Sequence, residues 1–159
     1  MFKRILVAVD GSATSKAGLK TAIALAKEQN ASLLIMHVVD ERMTMLNPEA
    51  GAYVETMFEM LREGGRKVVA DAEALARKQA VPFKTAMIES FGLGVAEVIV
   101  RHAQKSRADL IVLGTHGRRG MNRLVMGSDA ESVVRQVTVP VLLVKGPNTP
   151  ARKAAKTKK

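Results

Sequence analysis

The sequence contains no cysteine and no tryptophan, and its aromatic residues are one tyrosine and four phenylalanines in 159 residues. Without cysteine there can be no disulfide framework, thiol nucleophile or cysteine-ligated metal, which fits a cytoplasmic protein. So few aromatic side chains argue against the stacking platform of a single-strand nucleic-acid binder. No apolar run approaches the roughly 18 residues of a membrane-spanning helix. We therefore expect a soluble chain with one main domain and no membrane insertion.

The excess of basic over acidic residues gives a formal net charge of +10. Residues 151–159 contain five basic residues and no acid, so the body of the chain is only modestly basic. We predict a folded domain over residues 1–146 and a disordered basic tail over residues 147–159. Such a tail could contact nucleic acid or an anionic membrane through phosphates. A solubilising role is the simpler interpretation, and we favour it.

Short apolar runs alternate with amphipathic segments along the chain. The predicted strands cover residues 3–9, 32–39, 83–89, 109–113 and 139–144, and the predicted helices cover 13–29, 52–79, 95–104 and 128–137. Gly64 and Gly65 weaken the second helix by about 1 kcal/mol each relative to alanine, so a bend or break could occur there. Strands that alternate with helices predict an α/β fold in three layers, with a doubly wound, five-stranded parallel sheet.

Ligands of such sheets bind outside the carboxyl ends of the strands, where the strand order reverses. Asp10, Asp40 and Glu89 each lie at the carboxyl end of a predicted strand. The first and fourth strands flank the crevice if the reversal lies between them. Residues 41–51 show no clear period and contain Pro48, so we predict a loop that could lie over a ligand.

The stretch from Gly114 to Ser128 joins the fourth strand to the last helix and is rich in glycine and arginine. Glycines let a backbone approach an anion closely, and the first N–H groups of a helix can hold it. Arg118, Arg119 and Arg123 add donors that suit phosphate oxygens. Taken alone, this stretch is either a phosphate-binding loop or a surface loop with solvated arginines.

Other nucleotide and hydrolase motifs do not fit. Residues 11–16 lack the second glycine and the Lys-Ser/Thr pair of a phosphate-binding P-loop, and no G-x-G-x-x-G follows the first strand. No G-x-S-x-G elbow supports a serine triad. The histidines have no metal-ligand spacing. We interpret His37 and His102 as structural, whereas His116 is either a phosphate neighbour or simply exposed.

Gly114, Gly117, Gly127 and Ser128 fit the spacing G-x2-G-x9-G-[ST]. This pattern resembles the nucleotide-binding signature of the universal stress protein family. The end of the first strand, residues 8–12, also resembles that family, and the similarity extends over about residues 1–146. It implies an adenine nucleotide alpha hydrolase-like sheet with strand order 3-2-1-4-5. It also implies a homodimer along the last strand, where an apolar edge would otherwise need cover. That edge consists of Val141, Leu142, Leu143 and Val144.

The resemblance also assigns roles in a nucleotide site. Asp10 would meet the ribose or a phosphate-bound Mg²⁺, and the backbone of Val38 would bind the adenine edge. The glycine-rich loop would close on the ribose and phosphates, and the start of the last helix would bind phosphate. The implied set is Ala8, Val9, Asp10, Val38, Leu113, Gly114, His116, Gly117, Arg118, Gly127, Ser128, Asp129 and Ala130, with Asp10 as the metal ligand.

Two functions remain after this assignment. The first is a stress-response regulator that binds ATP, or AMP or ADP, with slow or no hydrolysis. The alternative is an enzyme that hydrolyses ATP or transfers part of it, with Asp10 on the metal. The sequence offers no obvious general base beside the γ-phosphate, which favours the regulator. Asp129 and Glu131 stabilise the helix dipole but oppose a polyphosphate unless Mg²⁺ or arginines compensate.

Overall fold

The computed structural model describes residues 1–42, 52–115 and 126–146. The strands are β1 (Arg4–Ala8), β2 (Ser32–Val39), β3 (Phe83–Glu89), β4 (Leu110–Gly114) and β5 (Val141–Val144), and the helices are α1 (Ala13–Gln29), α2 (Ala52–Lys78), α3 (Val95–Ser106) and α4 (Ser128–Gln136). The predicted loop over residues 41–51 lies outside the described residues from position 43 onward. None of the described helices is long and apolar enough to cross a membrane.

The strands form one parallel sheet in the order β3-β2-β1-β4-β5. The predicted order is therefore confirmed. β1 lies in the middle, with Ile5 opposite Leu33 of β2 on one side and Leu110 of β4 on the other. Because the chain extends the sheet first toward β3 and then toward β5, the switch point lies between β1 and β4. This is where α/β sheets of this kind bind their ligands.

Successive residues of a strand point to opposite sides of the sheet, and the central strands β1, β2 and β4 carry buried residues on both sides. One face packs against α1 and α2, and the other packs against α3 and α4. The first layer includes Ile5, Val7, Leu33, Ile35 and Val112, and the second includes Leu6, Met36, Ile111 and Leu113. The predicted three-layer architecture is confirmed.

The helix boundaries follow local chemistry. α1 begins after Ser12, whose Oγ accepts a hydrogen bond from the Ser15 N–H at 3.1 Å, and it ends at Asn30 in the left-handed conformation with φ 52°. The expected weak point in α2 is not a break, since the helix continues through Gly64 and Gly65. Tertiary packing, rather than local propensity, holds the helix together there.

Candidate functional site

The carboxyl end of β1 leads into a tightly hydrogen-bonded turn. Oδ1 of Asp10 accepts the Ser12 N–H at 2.9 Å, and the Asp10 N–H donates to Ser15 Oγ at 3.3 Å. Between them Gly11 has φ +82°, a conformation that favours glycine. The turn therefore fixes Asp10 against the first residues of α1.

The carboxyl end of β4 meets the same helix terminus. A Cβ on Gly114 would lie 2.8 Å from the Thr14 carbonyl carbon and 2.9 Å from the Ser15 nitrogen. Both neighbours are backbone atoms, so no side chain fits at this position. Since Ser15 also contacts Asp10, the structure brings Asp10 and Gly114 to two sides of the α1 N-terminus. These are two of the predicted site residues, and they flank the switch point.

The start of α4 is attached to the end of β4. The Gly127 N–H donates to the Thr115 carbonyl at 2.8 Å, and the Thr115 N–H donates to the Val144 carbonyl at 3.0 Å. Gly127 is the N-cap and has no side chain to satisfy the first-turn amides of α4, which belong to Ser128, Asp129 and Ala130. A helix start of this kind suits an anionic ligand.

Two arginines lie near the acidic first turn of α4. Arg135 pairs with Glu131 at 2.9 Å, one helical turn apart. Arg42 pairs with Asp40 at 2.9 Å. Hydrogen bonds to Asp40 raise the pKa of Arg42, and the charge of Asp129 adds a smaller increase. Arg42 was not among the predicted site residues, because only the folded chain brings it near Asp129.

Val38 lies where β2 extends beyond β1. The pairing of β1 with β2 ends at Ala8 opposite Met36, whereas β2 continues to Val39. Val38 is half-buried and pairs with Ile88 of β3 on its other side. The end of β2 therefore presents backbone toward the crevice. The predicted neighbours Ala8, Val9 and Leu113 lie at the adjacent strand ends, while His116, Gly117 and Arg118 lie outside the described residues.

A second polar cluster lies at the carboxyl ends of β2 and β3. The Glu41 side chain is buried, and the Glu41 N–H donates to Ser90 Oγ at 3.2 Å. Arg62 of α2 pairs with Glu89 at 2.8 Å and lowers its pKa. Burial, and next the charge of Glu89, raise the pKa of Glu41. Sequence reasoning placed Glu89 at a strand end but missed Glu41 and Arg62, which come from other segments.

The residues that the structure describes contain no group of three or more His, Cys, Asp or Glu side chains that could hold a metal ion. Carboxylates alone therefore form no metal cage in this part of the chain. A divalent cation that uses Asp10 would need further oxygen ligands, and the phosphates of a nucleotide supply oxygens of the required kind.

Comparison with known proteins gives a consistent result. The family model of the Universal stress protein family matches residues 1–145. The chain is 37% identical over 147 residues to Universal stress protein MJ0531 of Methanocaldococcus jannaschii, covering 92% of this chain and 84% of the relative. A crystal structure from the universal stress protein family of Burkholderia pseudomallei is 33% identical, with a TM-score of 0.73 and coverage of 89% and 94%. The chain therefore belongs to the universal stress protein family.

Two other solved structures of similar fold carry adenine nucleotides. One is a universal stress protein in complex with cAMP, which is 22% identical with a TM-score of 0.65 and coverage of 92% and 98%. The other is the universal stress protein from Archaeoglobus fulgidus in complex with dAMP, also 22% identical, with a TM-score of 0.63 and coverage of 90% and 98%. At this identity the likeness shows a shared fold.

Proposed function

We propose that this protein binds an adenine nucleotide and acts as a stress-response regulator, in the form of a nucleotide-responsive homodimer. One observation carries the proposal. Asp10 and Gly114 both contact the first residues of α1, at the switch point of the sheet. The glycine-capped start of α4 supports it by offering amides to phosphate. The cAMP and dAMP complexes of structural relatives agree with this class of ligand.

The ligand would extend from the end of β2 to the start of α4. The adenine edge would bind the backbone of Val38, and the ribose would lie by Asp10 and Gly114. Phosphates would bind the amides of Ser128, Asp129 and Ala130. The remaining contacts would come from Ala8, Val9, Leu113, His116, Gly117, Arg118 and Gly127.

ATP with Mg²⁺ is the form we propose, with AMP and ADP as alternatives. Mg²⁺ commonly binds through one or two carboxylates together with substrate phosphates, which fits a site with Asp10 as its carboxylate. The cation would reduce the repulsion between Asp129 and the phosphate chain. Asp10 Oδ1 also accepts the Ser12 N–H, so the turn holds the carboxylate in place for this contact.

Nucleotide-dependent stabilisation tests the binding site. We expect ATP, ADP or AMP to raise the melting temperature of the wild type, and mass spectrometry of the purified protein to identify a resident adenine nucleotide. Gly117→Val and Gly127→Val should abolish the rise. Gly64→Val is the control, because a Cβ on Gly64 would meet nothing within 4 Å. An unchanged rise in both site variants would overturn the assigned pocket.

Regulation, rather than catalysis, is the proposed role, with hydrolysis slow or absent. The alternative enzyme would use Asp10 on the metal, with water or a second substrate entering beside residues 41–51. A multiple-turnover assay of ADP release separates the two. Sustained release that disappears in Asp10→Ala would establish the enzyme and overturn the regulator.

The homodimer is proposed to form along β5, the edge strand on the β4 side of the sheet. The carbonyls of Pro140 and Val144 accept hydrogen bonds from Ile111 and Thr115 at 3.0 Å each. Because alternate residues of a strand bond to the same neighbour, the N–H of Leu143 points away from β4.

Substitution of Leu143 tests this interface by sedimentation velocity. Leu143→Pro removes the outward N–H, and we expect it to give monomers. Leu143→Ala is the control, since it shortens the same side chain but keeps the N–H, and we expect it to remain dimeric. A monomeric wild type, or a dimer that persists in Leu143→Pro, contradicts the interface.

We further propose that residues 1–146 form the nucleotide-binding domain of a cytoplasmic protein and that the basic tail over residues 147–159 is solubilising. Deleting the tail should leave the nucleotide-induced rise in melting temperature intact. It should also leave retention on DNA at low salt unchanged. Loss of salt-sensitive DNA retention would instead assign the tail to nucleic acid.

A further inference from the structure

A cavity of about 360 Å³ lies between α1 and α2, on the sheet face opposite α3 and α4. Its floor is apolar: Val9 and Leu19 are buried, and Leu75 of α2 is half-buried. Small residues, among them Ala72 and Ala74, line the α2 side and leave the space between the helices open. The volume falls at the lower end of the range typical of small-molecule sites.

The upper end of the cavity reaches the turn that carries Asp10, because Val9, Gly11 and Ser15 line it. A Cβ on Gly11 would lie only 3.0 Å from Cγ2 of Val68, so α2 packs closely against the turn at that level. The cavity then follows α2 from Val68 to Lys78, a length of about 15 Å at 1.5 Å per residue. Val9 borders both this cavity and the proposed nucleotide site. The body of the cavity nevertheless lies on the α1–α2 face of the sheet, whereas the phosphate end of the nucleotide site lies at α4 on the other face.

The rim of the cavity is positively charged. Among the described residues that line it, Lys16 and Lys20 of α1, one helical turn apart, and Lys78 of α2 are basic, and Asp71 is acidic. All three lysines are exposed, so their ammonium groups reach water while their methylene stems extend the apolar walls. An occupant of matching chemistry has an apolar body for the floor and one negative charge for the rim.

We propose that this cavity binds a small amphipathic carboxylate, with the carboxylate at the Lys16–Lys20 rim and a medium-length alkyl body over Leu19 and Leu75. Neither the apolar floor nor the basic rim specifies such a ligand alone. A ligand that fits both must carry an apolar body at one end and a carboxylate at the other. The site is additional to the proposed nucleotide function and does not depend on it.

Isothermal titration of the full chain with decanoate, kept below the concentration at which it self-associates, tests the proposal. Decanol and acetate each supply one half of the ligand chemistry, and we expect both to bind at least tenfold more weakly than decanoate. Lys20→Glu should weaken decanoate binding at least tenfold. Lys27→Glu is the matched control: Lys27 is an exposed residue of the same helix that does not line the cavity, and we expect its effect to stay within twofold.

Ala74→Phe places a large side chain in the cavity from an exposed helix position and should also remove decanoate binding while the melting temperature stays near that of the wild type. Saturating ATP should leave the decanoate affinity unchanged, which keeps this result separate from the nucleotide proposal. The inference is overturned if decanoate does not bind, if decanol binds equally well, or if Lys20→Glu and Lys27→Glu have equal effects.

Discussion

Nδ1 of His37 lies 2.7 Å from the carbonyl oxygen of Val9. A carbonyl only accepts, so Nδ1 carries the proton and the imidazole joins β2, near its carboxyl end, to the residue before Asp10. The Val9 N–H also bonds to β2, because it donates to the Met36 carbonyl at 2.8 Å. His37 is buried, in agreement with its interpretation as a structural histidine. It fixes the end of β1 from inside the protein.

Two substitutions of His37 should therefore distinguish the contribution of its hydrogen bond to stability from the contribution of its packing. We expect His37→Leu to lower the free energy of unfolding by about 1–3 kcal/mol, because the Val9 carbonyl loses a partner in the interior. His37→Asn keeps a donor near the position of Nδ1 and should lose less. Urea unfolding of both variants measures the difference. Equal losses would mean that the hydrogen bond to Val9 contributes little.

The glycine pair of α2 gives a matched test of the same contact. A Cβ on Gly65 would lie 2.9 Å from Cδ2 of His37, whereas a Cβ on Gly64 would meet nothing within 4 Å. We expect Gly64→Ala to stabilise the protein by up to about 1 kcal/mol through helix propensity. Gly65→Ala should destabilise it by about 1–3 kcal/mol, because the ring that it meets is held by Val9. Thermal unfolding of the two variants should shift in opposite directions.

The two glycines also show what the sequence could predict. Strand and helix positions follow apolar periods within short segments, so α1, β2 and β3 were predicted with the bounds that the structure has. From the sequence, Gly65 was interpreted only as a residue of low helix propensity. The structure shows that a larger residue would clash there with a histidine on β2. The contacts of Arg62 with Glu89 and of Gly114 with Thr14 likewise join distant segments. Local patterns located the strand ends and the crevice, but tertiary packing determines which side chains meet there.

Gly114 and Gly18 form a second matched pair, at the junction of β4 with α1. A Cβ on Gly114 would lie within 2.9 Å of two backbone atoms of Thr14 and Ser15, which cannot rotate away. We expect Gly114→Ala to cost about 1–3 kcal/mol by forcing the strand and helix apart. It should also reduce the nucleotide-induced rise in melting temperature.

Gly18→Ala serves as the control for that substitution. Its Cβ would meet its nearest neighbour, the Gly114 nitrogen, at 3.6 Å, which is an ordinary van der Waals contact. We expect a neutral effect or a gain of up to about 1 kcal/mol, because Gly18 lies inside a helix. Similar losses in both variants, measured by urea unfolding, would contradict the close approach of β4 to α1.

The carboxyl pair at the ends of β2 and β3 makes stability depend on pH in a defined direction. Burial, followed by the charge of Glu89, raises the pKa of Glu41 above its ordinary value of 4.5. The folded state then holds this proton more tightly than the unfolded state does. The stability contributed by Glu41 is complete below the unfolded pKa and is lost as the pH rises through the folded pKa.

Glu41→Gln keeps the shape of the protonated acid and cannot ionise, so it should remove this loss. We expect its melting temperature to exceed that of the wild type by about 2–4 °C at pH 8, and the difference to disappear by pH 4. Glu28→Gln changes the same charge at an exposed site of α1 and serves as the control. Glu89 has the opposite dependence, because Arg62 lowers its pKa, and both proteins retain the Arg62–Glu89 pair. A difference between Glu41→Gln and the wild type that grows toward low pH would contradict a raised pKa of Glu41.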